Sequence, residues 1–274
     1  MRIYINILVM FFFLIFHAFF DVSHSQSIIA DISLPSEDFQ RITIEQNSFA
    51  VYLRQLPLKK PGSDVVNYKG EVFKSGSDTS VAYVVDMNIT NRYLEQCMDV
   101  LVRLYADFLW QKKQAEELTL PLPGGHWLAW QNWKEGFRPV FRGINLSLIR
   151  ATQPDSSFQS YRTFLNTVYS ESHTQQFYHA YQPVKRMDVN IGDMFIKKGT
   201  KGHAVMIVDM AINERGQMIA LIGNGDTPAC QFFLLNYQTN NPWIPLDFDQ
   251  ETLSLPLRRK MSWDGLRRFS LPKD

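Results

Sequence analysis

The chain has 274 residues, 45% of them hydrophobic, which is enough to build a sizeable core and argues against disorder. Its 28 Lys and Arg against 27 Asp and Glu leave a net charge of +1, so no overall bias points to nucleic acid or an anionic surface. Two cysteines exclude a disulfide framework, and no CxxC or His-x-x-x-His spacing suggests a structural zinc site.

At the N-terminus Arg2 precedes an almost unbroken apolar run from Ile5 to Phe20, and Ser23-His24-Ser25 places small residues before a cleavage point. Residues 1–25 therefore read as a signal peptide cut near Ser25 and Gln26, and the mature protein as exported to the periplasm or cell envelope. The run is short for a stable membrane span, so none is expected after cleavage. Residues 26–274 read as a single α+β domain, in which 26–47 form a polar, loosely structured lead-in.

Ser48 to Leu58 is a short amphipathic segment, and Lys59 to Asp64 is a turn by composition. Val65 to Tyr68 and Val72-Phe73 flank Lys69-Gly70 as a small hairpin, and Thr79 to Met87 is apolar and β-branched enough for a buried strand. Thr90 to Lys112 is the clearest helix: Thr90 or Asn91 caps it, and Leu94, Cys97, Leu101, Leu104 and Phe108 form one stripe. A Trp-rich segment follows, with Trp127, Trp130 and Trp133, and then a second helix from Ser157 to Tyr169. After Pro183 the period falls to two, giving strands at Met194–Ile196, His203–Met210, Met218–Ile222 and Gln231–Leu235. Helices first and an antiparallel sheet later is an α+β signature, with the N-terminal helices packed on the C-terminal sheet.

The chemistry gathers at His203, which opens an apolar strand after the Thr200-Lys201-Gly202 loop. Asn213-Glu214-Arg215-Gly216 suits a type I turn, and pairing Ile212 with Gln217 sets His203 opposite Asp226, with Asn224 one diagonal step away. His203, Asn224 and Asp226 then share a face, and a polar neighbour can fix the imidazole's tautomer. Cys97 is the candidate nucleophile, since a nearby imidazole can make its thiol reactive, and Gln96 can point towards an oxyanion. The alternative keeps Cys97 as a small buried hydrophobe on the stripe of Leu101 and Phe108, about two turns into the helix and beyond its dipole. In an oxidising compartment Cys97 and Cys230 can also form a disulfide. Trp127 and Trp130 can stack on a sugar or peptide, or belong to the core. Asp193 reads as a turn residue, Asp209 as a strand-end residue, and the Arg258-Arg259-Lys260 and Arg267-Arg268 clusters as a solvated face.

Several blocks, in order, resemble an exported bacterial family known as domain of unknown function 4846. They are Leu53-Arg54-Gln55-Leu56-Pro57-Leu58, then Leu94-Glu95-Gln96-Cys97-Met98-Asp99 with Arg103-Leu104-Tyr105. Gly192-Asp193-Met194-Phe195-Ile196, Gly202-His203-Ala204-Val205 and Val208-Asp209-Met210-Ala211 follow. The family pattern has Gln where this chain has Asn224 and Cys230, which keeps an orienting amide at 224 and makes Cys230 incidental. More distantly, a Gly-Asp strand followed by a strand opening with His resembles the NlpC/P60 class of papain-like peptidases and amidases. That resemblance implies Cys97 as nucleophile, His203 as general base and Asn224 as orienting residue, acting without cofactor or metal on a peptide or cell-wall-like substrate. Gln96, Asp226, Trp127 and Trp130 are then candidates for substrate binding. The chain departs from the class in lacking its Asp-Cys-Ser/Gly helix opening. The competing expectation is a non-catalytic envelope protein that holds a peptide or glycan in the same cleft.

Overall fold

Strands rich in Val, Ile, Met and Phe, with no polar alternation, can only be covered on both faces, and the segment His203–Asn213 is buried almost throughout. In the computed structural model, which describes residues 26–90, 92–238 and 241–270, this strand is the spine of an eight-stranded antiparallel sheet. Across the sheet the order is Leu266–Arg267, Met194–Lys197, His203–Asn213, Met218–Asn224, Phe233–Leu235 and Val81–Val84. Phe39–Arg41 pairs with the far end of the spine, and Ile244–Pro245 with Met218–Asn224. The fold is mixed helix and antiparallel sheet, as expected, but two strands come from before the first long helix, so the sheet is not wholly C-terminal.

The helices are α1 (Phe49–Arg54), α2 (Cys97–Gln111), α3 (Trp130–Lys134), α4 (Phe158–Glu171) and α5 (Thr174–Ala180). Ser48 caps α1 by accepting from Val51 N, and both α1 and α2 lie against the spine strand. Helix α2 buries Leu101, Val102, Leu104 and Ala106 completely, each leucine contributing roughly 2 kcal/mol of hydrophobic stabilisation. The Tyr161 hydroxyl of α4 donates to Ala106 O and ties the two longest helices together.

Three expectations are corrected. Helix α2 begins at Cys97 rather than near Thr90, because Gln96 is extended (φ −80°, ψ −165°) and serves as its N-cap. Residues 26–47 are not a loose lead-in: Ile29 and Ile32 are buried and Phe39–Arg41 joins the sheet. Trp130 packs edge-on against Trp110, Tyr161 and Phe164 at 2% exposure, so it is core and not a binding platform. The signal peptide of residues 1–25 and the Asn91 cap lie outside the described residues.

The hairpin that sets the site contains two one-residue departures that cancel. Ile212 pairs with Met218 rather than Gln217, because Asn213 accepts from Gly216 N and donates to Gln217 O around a longer turn. A bulge at Val208 then removes the offset, so Val205 pairs with Asn224 and Asn224 lies one diagonal step from His203. Asp209, next to the bulge, is no strand-end residue. It is fully buried mid-strand and accepts from Arg41 Nε at 2.6 Å and Arg54 Nε at 2.7 Å.

Candidate active site

The first turn of α2 meets the open end of the sheet at Cys97. Gln96 N donates to the Asp99 carboxylate at 3.1 Å, a cap that fixes where the helix starts. Just before it, the buried Glu95 carboxylate is held by Arg103 from the same helix and Arg162 from α4. Gly225, directly after Asn224, allows the approach: a Cβ there would meet Val100 Cγ1 at 2.5 Å and Cys97 Cα at 3.5 Å. Cys97 is therefore the first helical residue, inside the turn where the helix dipole favours a thiolate.

His203 is 1% exposed, and its Nε2 donates to Asn224 Oδ1 at 2.7 Å. Because an amide oxygen only accepts, this bond places the proton on Nε2 and leaves Nδ1 as the basic nitrogen. Burial lowers the His203 pKa below 6.5, opposed by the nearby Asp226 charge and the Asn224 hydrogen bond, while Arg259 and Lys197 lower it further. Helix α2 packs on the same strand, and burial pushes the Cys97 thiol up to about 11, opposed in part by the backbone N–H of Ala204. Both shifts favour the uncharged forms, so the resting site holds a thiol and a neutral imidazole.

The remaining candidates divide. Asp226 sits beside this group, with Arg259 Nη1 at 3.6 Å from its Oδ1. Gln96 Oε1 accepts from Thr227 Oγ1 at 2.8 Å, which leaves its amide NH₂ at the mouth of a cleft of about 910 Å³. Cys97, Asp99, Tyr169, Lys201 and Arg259 also line that cleft. Trp127 lies elsewhere, in a separate pocket beyond α5, and Trp130 lines neither space. Cys230 is buried with a free thiol, as is Cys97, so the two form no disulfide. Among the described residues no group of three His, Cys, Asp or Glu side chains is placed to hold a metal ion, and no helix is long and apolar enough to cross a membrane.

Sequence reasoning missed three parts of this region. By composition Arg259 belongs with the solvated basic clusters, and nothing in its irregular neighbourhood signals that it reaches Asp226. Arg267 and Arg268 are likewise not merely solvated. Arg267 is 4% exposed over the Tyr178 ring, and Arg268 forks onto Asp193 at 2.6 and 2.9 Å. Asp99 could have been found, since Gln96-x-x-Asp99 has the spacing of a reciprocal helix cap.

The candidate site residues from Gln96 to Arg259 lie within the stretch matched by a known family. The profile of a domain of unknown function (4846) matches residues 29–266, nearly the whole described chain, and the protein belongs to that family. Neither a curated protein nor a solved structure matches the chain.

Proposed function

We propose that this protein is a papain-like thiol hydrolase that cleaves a peptide or amide bond after export to the cell envelope. One observation carries the reading: a buried histidine bonded to Asn224 opens the strand on which the Cys97 helix packs, and Gly225, next to Asn224, lies against Cys97. The order Cys97, His203, Asn224 along the chain supports it, as do the helix-borne nucleophile and strand-borne base. The apolar run from Ile5 to Phe20 supports export.

In this reading His203 Nδ1 takes the Cys97 proton as the sulfur attacks the substrate carbonyl carbon. The developing oxyanion is met by the Cys97 N–H, which has no intrahelical partner, and by the Gln96 amide. The C–N bond breaks, and the amine leaves with the proton returned by His203. A water molecule, deprotonated by the same imidazole, then splits the thioester to release the acid and restore the thiol. With the resting pair uncharged, proton transfer accompanies attack rather than preceding it.

Incubation with a mixed library of peptides and acyl amides, read by mass spectrometry, tests the activity. The expected result is cleavage by the wild-type protein and by Cys230→Ala, and none by Cys97→Ala. Cleavage that survives Cys97→Ala removes the thiol mechanism. A second reading, a non-catalytic binding cleft, is favoured by the 6% exposure of Cys97 and its raised thiol pKa. Its signature is peptide binding in the cleft that persists in Cys97→Ala, with no cleavage by the wild-type protein.

A further inference from the structure

A second pocket, of about 400 Å³, lies between α5 and the tip of the hairpin formed by Thr119–Pro121 and Trp127–Ala129. Its volume falls within the range of small-ligand sites. The half-buried Trp127 forms part of its wall, and the polar side chains around it are His126, Gln175, Gln176, His179, Gln182 and Ser270. None of the described residues lining it is Asp, Glu, Lys or Arg.

Its hydrogen-bonding groups are arranged in advance. The hairpin tip is held by Gly124, whose φ of +77° and approach to Ile144 O leave no room for a side chain. His126 Nε2 donates to that same Ile144 O at 2.8 Å, which leaves Nδ1 as an acceptor. Gln176 Oε1 accepts from His173 N at 2.9 Å, so its NH₂ remains as a donor. Gln175 and Gln182 each add an amide that both donates and accepts.

An indole ringed by amides and imidazoles, with no Asp, Glu, Lys or Arg among the described lining residues, matches a ligand with an apolar C–H face, a rim of hydroxyls and no charge. We propose that this pocket binds a neutral saccharide unit. The polar groups are side chains gathered round one ring, which suits a compact polyol. An extended peptide is recognised instead through backbone groups along a strand edge. Gln175 and Gln176 line both this pocket and the Cys97 cleft, so one ligand can span the two. Resting on the hydrolase reading, such a ligand would set its sugar beside Trp127 and its scissile amide at Cys97.

Titration of the full chain with cellobiose and with N,N′-diacetylchitobiose, followed by tryptophan fluorescence and calorimetry, tests the site. Saturable binding of at least one is expected in both the wild-type and Cys97→Ala proteins. It should be insensitive to salt, and weakened about tenfold or more in Trp127→Ala and in Gln182→Ala. Gln182 is exposed, so its variant keeps the test decisive if Trp127→Ala fails to fold. No saturation by either sugar overturns the proposal, as does binding unchanged in Gln182→Ala, or binding of trialanine in place of the sugars. Sugar binding without any Cys97-dependent cleavage leaves the saccharide site standing and removes only the hydrolase reading.

Discussion

The Nε2–H of His203 donates to Asn224 Oδ1 across 2.7 Å at a point where neither side chain meets solvent. The Asn224 Nδ2 has no partner among the described residues, so the amide's one described hydrogen bond is spent on orienting the imidazole. Asn224→Ala should slow alkylation of Cys97 by roughly tenfold or more, because the ring loses its fixed tautomer. Asn224→Asp should retain alkylation while moving the acidic limb of its pH profile upward, since a carboxylate beside the ring raises its pKa. Rates measured between pH 5 and 8 separate the two variants (about 0.5-unit steps resolve the limb).

The lowered pKa of His203 also makes a stability prediction. Its folded value lies below the unfolded 6.5, so between the two the unfolded chain binds more protons. This contribution therefore raises stability as pH rises through that window, and it is lost as pH falls below 6.5. Asp99, Asp107 and Asp193 work in the opposite sense, because burial raises their carboxyl pKa values. Only a difference isolates the histidine: the urea midpoint of the wild type should climb more steeply with pH across the window than that of His203→Gln. Equal slopes would show that His203 titrates alike in both states.

The two tryptophans expected to act together should part in their energetics. Trp130→Ala opens a cavity among Trp110, Tyr161 and Phe164 and should cost about 3–5 kcal/mol in denaturant unfolding. Trp127→Ala removes a half-buried ring at a pocket wall and should cost less, about 1–2 kcal/mol. Equal losses would contradict the division of the pair into core and pocket.

Arg54→Ala should destabilise by about 3 kcal/mol, because it strips the fully buried Asp209 of one of two guanidinium partners. The charge-neutral double variant Asp209→Asn with Arg54→Met should recover much of that loss. A single Arg54→Ala cost below about 0.5 kcal/mol would mean that Arg41 alone satisfies the carboxylate.

How far the sequence discloses this arrangement depends on the range of the signal. The strands after Pro183 are legible because burial on both faces demands unbroken apolar runs, as in Ala204 to Val208. The start of α2 is not, because Leu94 continues the helical stripe although Gln96 is extended; the cap rests on one hydrogen bond to Asp99. The tryptophan spacing misleads for a similar reason: Trp127 lies on a strand and Trp130 opens a helix, so a period of three marks no common face. The face shared by His203 and Asn224 is legible because the turn and the Val208 bulge cancel, although neither irregularity is visible beforehand. Contacts such as Arg259 with Asp226 depend on where an irregular tail returns, and no local pattern encodes that.

Coupling of Cys97 to His203 is probed by alkylation with iodoacetamide at pH 7, read peptide by peptide by mass spectrometry. Cys97 should be modified in the folded wild-type protein and about tenfold or more slowly in His203→Ala, with Cys230 spared in both. Equal rates at Cys97 in the two proteins, or modification of Cys97 only after denaturation, would contradict it.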